Sequence, residues 1–181
     1  DTVTVFTVFL LGRHLYGRPV GVLASALVAM AVIHIQLSHF YAVDTIMTTF
    51  AIISLFFMVK VARSGGLNNS LLAGIFLGFG LATKFSLLPL IFPFIVAHVI
   101  FAISASNIRL TLVFPGKEKL YKAISGLVLG GVLLLIVVFV TQPYAFLDWG
   151  HYLDDIRAQS DMVRRAVDLP YTRQYIDSTQ Y

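Results

Sequence analysis

Long apolar stretches broken by short polar ones dominate the chain. No Asp, Glu, Lys or Arg occurs in residues 19–43, 64–83, 85–108 or 123–147. About 20 apolar residues are needed to cross the hydrocarbon core of a bilayer as a helix, and each run reaches that length. The stretch between Asp44 and Lys60 is shorter, but it is apolar and flanked by charge. The pattern predicts helices over about 1–11, 19–36, 43–61, 70–82, 87–104 and 123–140. Pro19 stands at the start of the second, where its missing N–H costs least. The Gly- and Asn-rich stretch 63–69 reads as a turn. The expected fold is all-α, a polytopic transmembrane bundle of about six spans over residues 1–142. Residues 143–181 form a second region, the start of an extracytoplasmic loop.

That second region opens with an amphipathic helix. Tyr152, Leu153, Ile156, Met162, Val163 and Val167 alternate at helical spacing with Asp154, Asp155, Arg157, Asp161, Arg164 and Arg165. Such a helix lies on a membrane or protein surface.

Composition agrees with this class. Hydrophobic residues make up 58% and charged residues 12%, against roughly 25% charge in an average soluble domain. Mean hydropathy is +0.86. These values exclude an ordinary cytosolic domain, a disordered tail and a nucleic-acid-binding module. The absence of cysteine excludes thiol catalysis, zinc–thiolate sites and disulfides.

The net charge of +4 follows from topology. Arg13 and Arg18 lie in one turn, Lys60 and Arg63 in the next but one, and Arg109, Lys117, Lys119 and Lys122 in the next but one again. By the positive-inside rule these turns face the cytoplasm. The other face then collects Asp44, Lys84 and the Tyr-rich tail. Asn68-Asn69-Ser70 is a glycosylation sequon, but this topology leaves it unmodified.

Few residues carry chemistry. Asp44 is the only acid between Asp1 and Glu118. An ionisable group at membrane depth is costly and so a functional candidate. It also suits the N-terminus of a helix, as a cap or against the dipole. Lys84 breaks an otherwise uncharged run and can meet an anionic headgroup or phosphate, or simply snorkel. His34 and His39 precede Asp44 at five-residue intervals, a spacing that identifies no metal site; an interfacial or core histidine is the better reading of each. His98, in mid-helix, reads as an interhelical hydrogen-bonding group. Gly74-x-x-x-Gly78 and Gly126-x-x-x-Gly130 are helix-packing signals. Gly78-Phe79-Gly80 ahead of Thr83-Lys84 lacks P-loop spacing. In the tail, Tyr171, Arg173, Gln174 and Tyr175 offer stacking surfaces and donors for sugars and phosphates, or form an aromatic belt.

Four stretches carry a family resemblance. They are Leu10-Leu11-Gly12-Arg13-His14-Leu15-Tyr16-Gly17-Arg18, Gln36-Leu37-Ser38-His39-Phe40 through Asp44-Thr45, Gly78-Phe79-Gly80-Leu81-Ala82-Thr83-Lys84-Phe85, and Asp168-Leu169-Pro170-Tyr171-Thr172-Arg173-Gln174-Tyr175. In this order they resemble the polytopic glycosyltransferases of the GT-C fold, closest to the glycosyltransferase family 39 type, which includes protein O-mannosyltransferases. The resemblance implies a multi-pass enzyme, most readily of a prokaryotic cell membrane, with its site on the extracytoplasmic face. It would move a sugar from a polyprenyl-phosphate donor to a protein, lipid or glycan hydroxyl, with no nucleic-acid partner. Asp44 matches the family's acid at the start of a helix facing the cavity. Lys84 matches its lysine near the donor phosphate. His39, Tyr171, Arg173, Gln174 and Tyr175 are carried as substrate-binding residues. The family's main catalytic acid falls upstream of Asp1, so these 181 residues are expected to be inactive alone. The tail Ser178-Thr179-Gln180-Tyr181 departs from relatives that place Pro before the final Tyr. A divalent metal ion is left open as a cofactor. A transporter or lipid flippase would also use an isolated intramembrane Asp and Lys, and a membrane scaffold would need neither.

Overall fold

The computed structural model describes residues 1–40, 42–104 and 117–163, with the backbone alone at Gln159, Met162 and Val163. Among these the chain is helical and contains no strand. The helices are α1 (Thr2–Tyr16), α2 (Arg18–Ala29), α3 (Val32–His39), α4 (Val43–Ser64), α5 (Leu67–Thr83), α6 (Ile91–Ile103), α7 (Lys117–Thr141), α8 (Tyr144–Leu147) and α9 (Trp149–Val163). A 3-10 helix, Phe85–Leu90, leads into α6. The chain divides into two compact units, Asp1–Thr141 and Gln142–Tyr181.

In the first unit the α4–α5 turn is made by Gly65 (φ 67°) and Gly66 (φ 97°). Both lie where a Cβ is strained. Successive passages then reverse direction. Thr4 Oγ1 meets Thr49 Oγ1 at 2.6 Å and Arg63 bonds the His14 carbonyl, so α1 and α4 run parallel. Ser54 donates to the Ala73 carbonyl at 2.8 Å, and Lys84 reaches Asp44, so α4 and α5 are antiparallel.

Helix α5 is the centre of the bundle, with Ala73 and Leu77 fully buried. Met58 and Val61 of α4, Phe94 and Ala97 of α6, and Leu134 of α7 close the core around it. The two Gly-x-x-x-Gly signals make the α5–α7 contact. A Cβ on Gly74 would collide with the Gly130 carbonyl oxygen and come within 2.8 Å of its carbon. One on Gly78 would meet Leu134 O and Val137 Cβ at 2.9 Å. The pairs Ser70/Gly126, Gly74/Gly130 and Gly78/Leu134 keep a constant offset, so these helices run parallel in contact. Lipid gives little apolar drive for helices to associate, so backbone approach and dispersion do the work. Helices α1 and α2 repeat the device: a Cβ on Gly21 would lie 2.7 Å from Phe9 O.

Not every expected span is a full one. Among the described residues, three helices are long and apolar enough to cross a membrane: Val43–Ser64, Phe85–Ile103 and Lys117–Thr141. The second passage is not one continuous helix. It breaks at Met30–Ala31 into α2 and α3, bent by 56°, and counts as a fourth span only if taken as a pair. No Pro or Gly marks the break, and Ala31 is extended there. Both halves meet α1, α2 at Gly12 and α3 at Asp1, the N-cap residue of the same helix. The 17 residues of α5 rise only about 26 Å, short of a core about 30 Å thick. Helix α1 has 15 residues.

In the second unit, Trp149, Tyr152, Leu153 and Ile156 share one face of α9, with the Trp149 and Tyr152 rings 5.9 Å apart. Asp154 pairs with Arg157 at 3.1 Å away from that stripe.

Candidate functional site

The reversals gather two sets of polar groups at opposite ends of the first unit. One end carries the end of α1 with Arg13, the start of α2 with Arg18, the end of α4 with Lys60 and Arg63, and the start of α7 with Lys117, Lys119 and Lys122. There Arg63 bonds the last carbonyls of α1, at His14 and, 3.2 Å away, at Leu15. Lys60 lies 5.5 Å over the Phe56 ring. The other end carries the start of α1, the end of α3, the start of α4 and the end of α5. Asp1, Ser38, His39, Asp44 and Lys84 all sit there.

Asp44 occupies the first turn of α4 without capping it. The N-cap is Ala42, and no side chain bonds the free backbone N–H groups. Thr45 turns inward and bonds the Ala42 carbonyl at 2.8 Å. The Asp44 carboxylate is thus left to reach across to the next helix while keeping the favourable end of the α4 dipole. Lys84 stands where α5 ends. Its backbone is extended, and its N–H still bonds Gly80 O at 3.0 Å. The 3-10 turn that follows redirects the chain into α6.

Lys84 Nζ donates to Asp44 Oδ1 at 2.6 Å. The two side chains keep 43% and 41% of their exposure, so the pair is open to a ligand. An ammonium has three donors, and the Asp44 contact uses one. Ser86 donates to Met47 Sδ at 3.5 Å beside the pair, tying the 3-10 turn to α4. The arrangement offers a cation for an anionic group and a carboxylate for a hydroxyl at one spot.

The other expected site residues fare differently. His39 ends α3 exposed, its ring edge-on to Phe40 at 5.7 Å, and makes no contact with the pair among the described residues. Tyr171, Arg173, Gln174 and Tyr175 lie outside the described residues.

A polar trio at the same end escaped the sequence reading. Asp1 receives a hydrogen bond from Ser38 Oγ at 2.9 Å, and His34 Nε2 lies 2.5 Å from its other oxygen without hydrogen-bond alignment. His34 and Ser38 are four residues apart on α3, hence on one face. That spacing was the available signal, but their common partner 33 and 37 positions away was not. Among the described residues no group of three or more His, Asp or Glu side chains is placed to hold a metal ion.

His98 does link helices. Its Nδ1 lies 2.8 Å from Phe94 O and its Nε2 2.9 Å from Ser70 Oγ. A carbonyl only accepts, so Nδ1 carries the proton and Ser70 donates to Nε2. Ser70 is the hydroxyl residue of the sequon, and it is buried at 3%. Gly78 and Gly80 lie inside α5 against Val137 and Leu87, which is helix packing and not a phosphate loop.

Neither the curated proteins nor the solved structures contain a match to this chain. A family model described as dolichyl-phosphate-mannose-protein mannosyltransferase matches residues 1–142, all but the first residue of the second unit excluded. With this match and its apolar helical bundle, the chain belongs to that family of GT-C type and is a membrane glycosyltransferase of the mannosyltransferase type.

Proposed function

We propose that the chain takes part in moving a sugar from a polyprenyl-phosphate carrier to a hydroxyl of a protein, lipid or glycan at the extracytoplasmic face. The observation that carries this reading is the open Asp44–Lys84 pair at the end of the bundle away from the basic turns. In the transfer the bond from the sugar's anomeric carbon to the phosphate oxygen breaks, and that oxygen leaves with the electron pair. The bond to the acceptor oxygen forms, and the acceptor proton passes to a base. The leaving phosphate gains charge, which Lys84 offsets. A neutral hydroxyl needs a carboxylate to take or orient its proton, and Asp44 shapes the acceptor side of the site. Arg173 is assigned a smaller share of phosphate binding, and Tyr171, Gln174 and Tyr175 are carried as substrate-binding residues. Placing the chemistry at the interface lets the polyprenyl tail stay in the bilayer of a prokaryotic cell membrane.

The test follows free polyprenyl phosphate released from a panel of polyprenyl-phosphate sugars by the full-length protein in nanodiscs. Wild type is compared with Asp44→Asn and Lys84→Ala. Release lost in both variants supports the transferase and both residues. Folded wild type that releases nothing from any donor turns the reading towards transport, for which a flux assay is the measurement.

A further inference from the structure

We propose that the turn between α1 and α2 binds an anionic phospholipid, its phosphate held by Arg13, Arg18 and Arg63 and its acyl chains laid along α2. The turn lies at the other end of the first unit from Asp44 and Lys84, away from the groups assigned to sugar transfer. Gly17, at φ 96°, is the single residue between the two helices. Arg13 stands in the last turn of α1, and Arg18 is the first residue of α2. The Arg13 Cβ lies 3.1 Å from where a Cβ on Gly21 would stand, so its stem leaves from the α1–α2 contact, and the residue is exposed. Arg63 arrives from the last turn of α4 and bonds the His14 and Leu15 carbonyls.

Those bonds fix the Arg63 guanidinium against the turn and leave it N–H donors to spare. Lys60, one turn earlier on α4, sits over the Phe56 and Phe57 rings at 5.5 and 5.7 Å, and Phe56 meets His14 of α1 edge-on. Arg13, Arg18, Lys60 and Arg63 thus border one turn with no acid to offset them. Between Asp1 and Glu118 the chain has no acid except Asp44, at the opposite end, and Glu118 pairs with Lys122 on α7. Like charges gathered in this way repel one another until an anion enters. The positive-inside rule accounts for the sign of this end but not for three guanidinium groups at a single turn. Their planar forks match phosphate oxygens bidentately.

The apolar surroundings select what carries the phosphate. Tyr16, 74% exposed, stands in the turn itself, and an exposed tyrosine suits the headgroup level. From there Val20, Leu23 and Leu27 run down α2 at i, i+3 and i+7, one stripe of a helix, with Leu23 62% and Leu27 64% exposed. A free phosphate leaves that stripe unused. A phospholipid covers it with acyl chains while its phosphate meets the arginines, the arrangement of basic pockets that hold anionic headgroups between membrane helices.

The test is native mass spectrometry of the delipidated full-length protein, titrated with phosphatidylglycerol or with phosphatidylcholine of the same chain length. Phosphatidylglycerol should bind the more tightly. Arg13→Gln with Arg18→Gln should weaken it by about 30-fold, the attraction of two basic residues for anionic lipid, and leave phosphatidylcholine unchanged. Lys117→Gln with Lys119→Gln is the control, since α7 packs on α5 and α6 and not at this turn; it should change neither lipid. Circular dichroism checks the fold. If the double variant does not fold, Arg13→Gln and Arg18→Gln are measured singly, each with an expected loss of about fivefold. Equal losses in the arginine and lysine variants mean a diffuse basic surface and overturn the proposal, as does undiminished binding without the arginines. Displacement of the lipid by excess glycerol 3-phosphate overturns it too, because the site then takes free phosphate and makes no use of the stripe.

Discussion

Lys84 Nζ and Asp44 Oδ1 meet at 2.6 Å across α4 and α5, forty residues apart in sequence, with both side chains about two-fifths exposed. An ion pair this open adds only about 0–1 kcal/mol to stability. Asp44→Asn and Lys84→Ala should therefore leave thermal unfolding in detergent nearly unchanged. Sugar transfer should fall on the order of 10²-fold in each, the size expected when a group aimed at developing charge is removed. The exchange Asp44→Lys with Lys84→Asp keeps the attraction and reverses the polarity. It should remain folded and inactive. Activity in the exchanged protein would show that the pair is structural.

The α5–α7 seam sets a second expectation. Gly74→Ala must push two backbones apart, because its Cβ would meet the Gly130 carbonyl. Overpacking of this kind costs about 1–3 kcal/mol. Gly131, on the same helix, has nothing within 4 Å of its Cβ position. There Gly→Ala should be neutral or stabilise by up to about 1 kcal/mol through the helix propensity of alanine. Unfolding of both variants in mixed detergent checks the contrast; equal effects would mean that the seam is looser than described.

His98 and Ser70 give a third. Hydrogen bonds between membrane helices average about 0.6 kcal/mol in double-mutant cycles. The cycle of His98→Ala, Ser70→Ala and the double variant should yield a coupling of that order. A coupling near zero would assign both residues to packing alone.

The fourth concerns Asp148 and His151, which pair at 2.9 Å ahead of the body of α9. The hydrogen bond from His151 holds the Asp148 carboxyl below its usual range. The bond to Asp148 raises the His151 imidazole, with Asp154 and Asp155 adding to it. The raised histidine contributes while it is charged, fully below the ordinary histidine value, and the contribution is lost as pH rises through the raised one. The lowered aspartate contributes above the ordinary carboxylate value and is lost as pH falls through the depressed one. The pair is thus intact between the two and fades on either side. In an NMR titration, Asp148→Asn should move the His151 midpoint to lower pH. Added salt should shrink the difference, since both groups are exposed.

Much of this was legible in the chain itself. Charge-free runs of spanning length can satisfy their backbones in lipid only as helices, so the class and the approximate helix positions follow from hydropathy. The same runs make Asp44 and Lys84 conspicuous, since charge at membrane depth is rare. The Gly-x-x-x-Gly spacing names the faces that approach closely, because i and i+4 share one side of a helix.

The tertiary structure decided the partnerships. Periodicity ranks residues on their own helix and says nothing about which helix lies opposite. That Lys84 meets Asp44, that Asp1 meets His34 and Ser38, and that Gly74 meets Gly130 depends on the order in which helices pack. The break at Ala31 is of the same kind, since no Pro or Gly at that point requires it. Sequence determined which groups are too costly to be idle in a membrane; packing determined which of them meet.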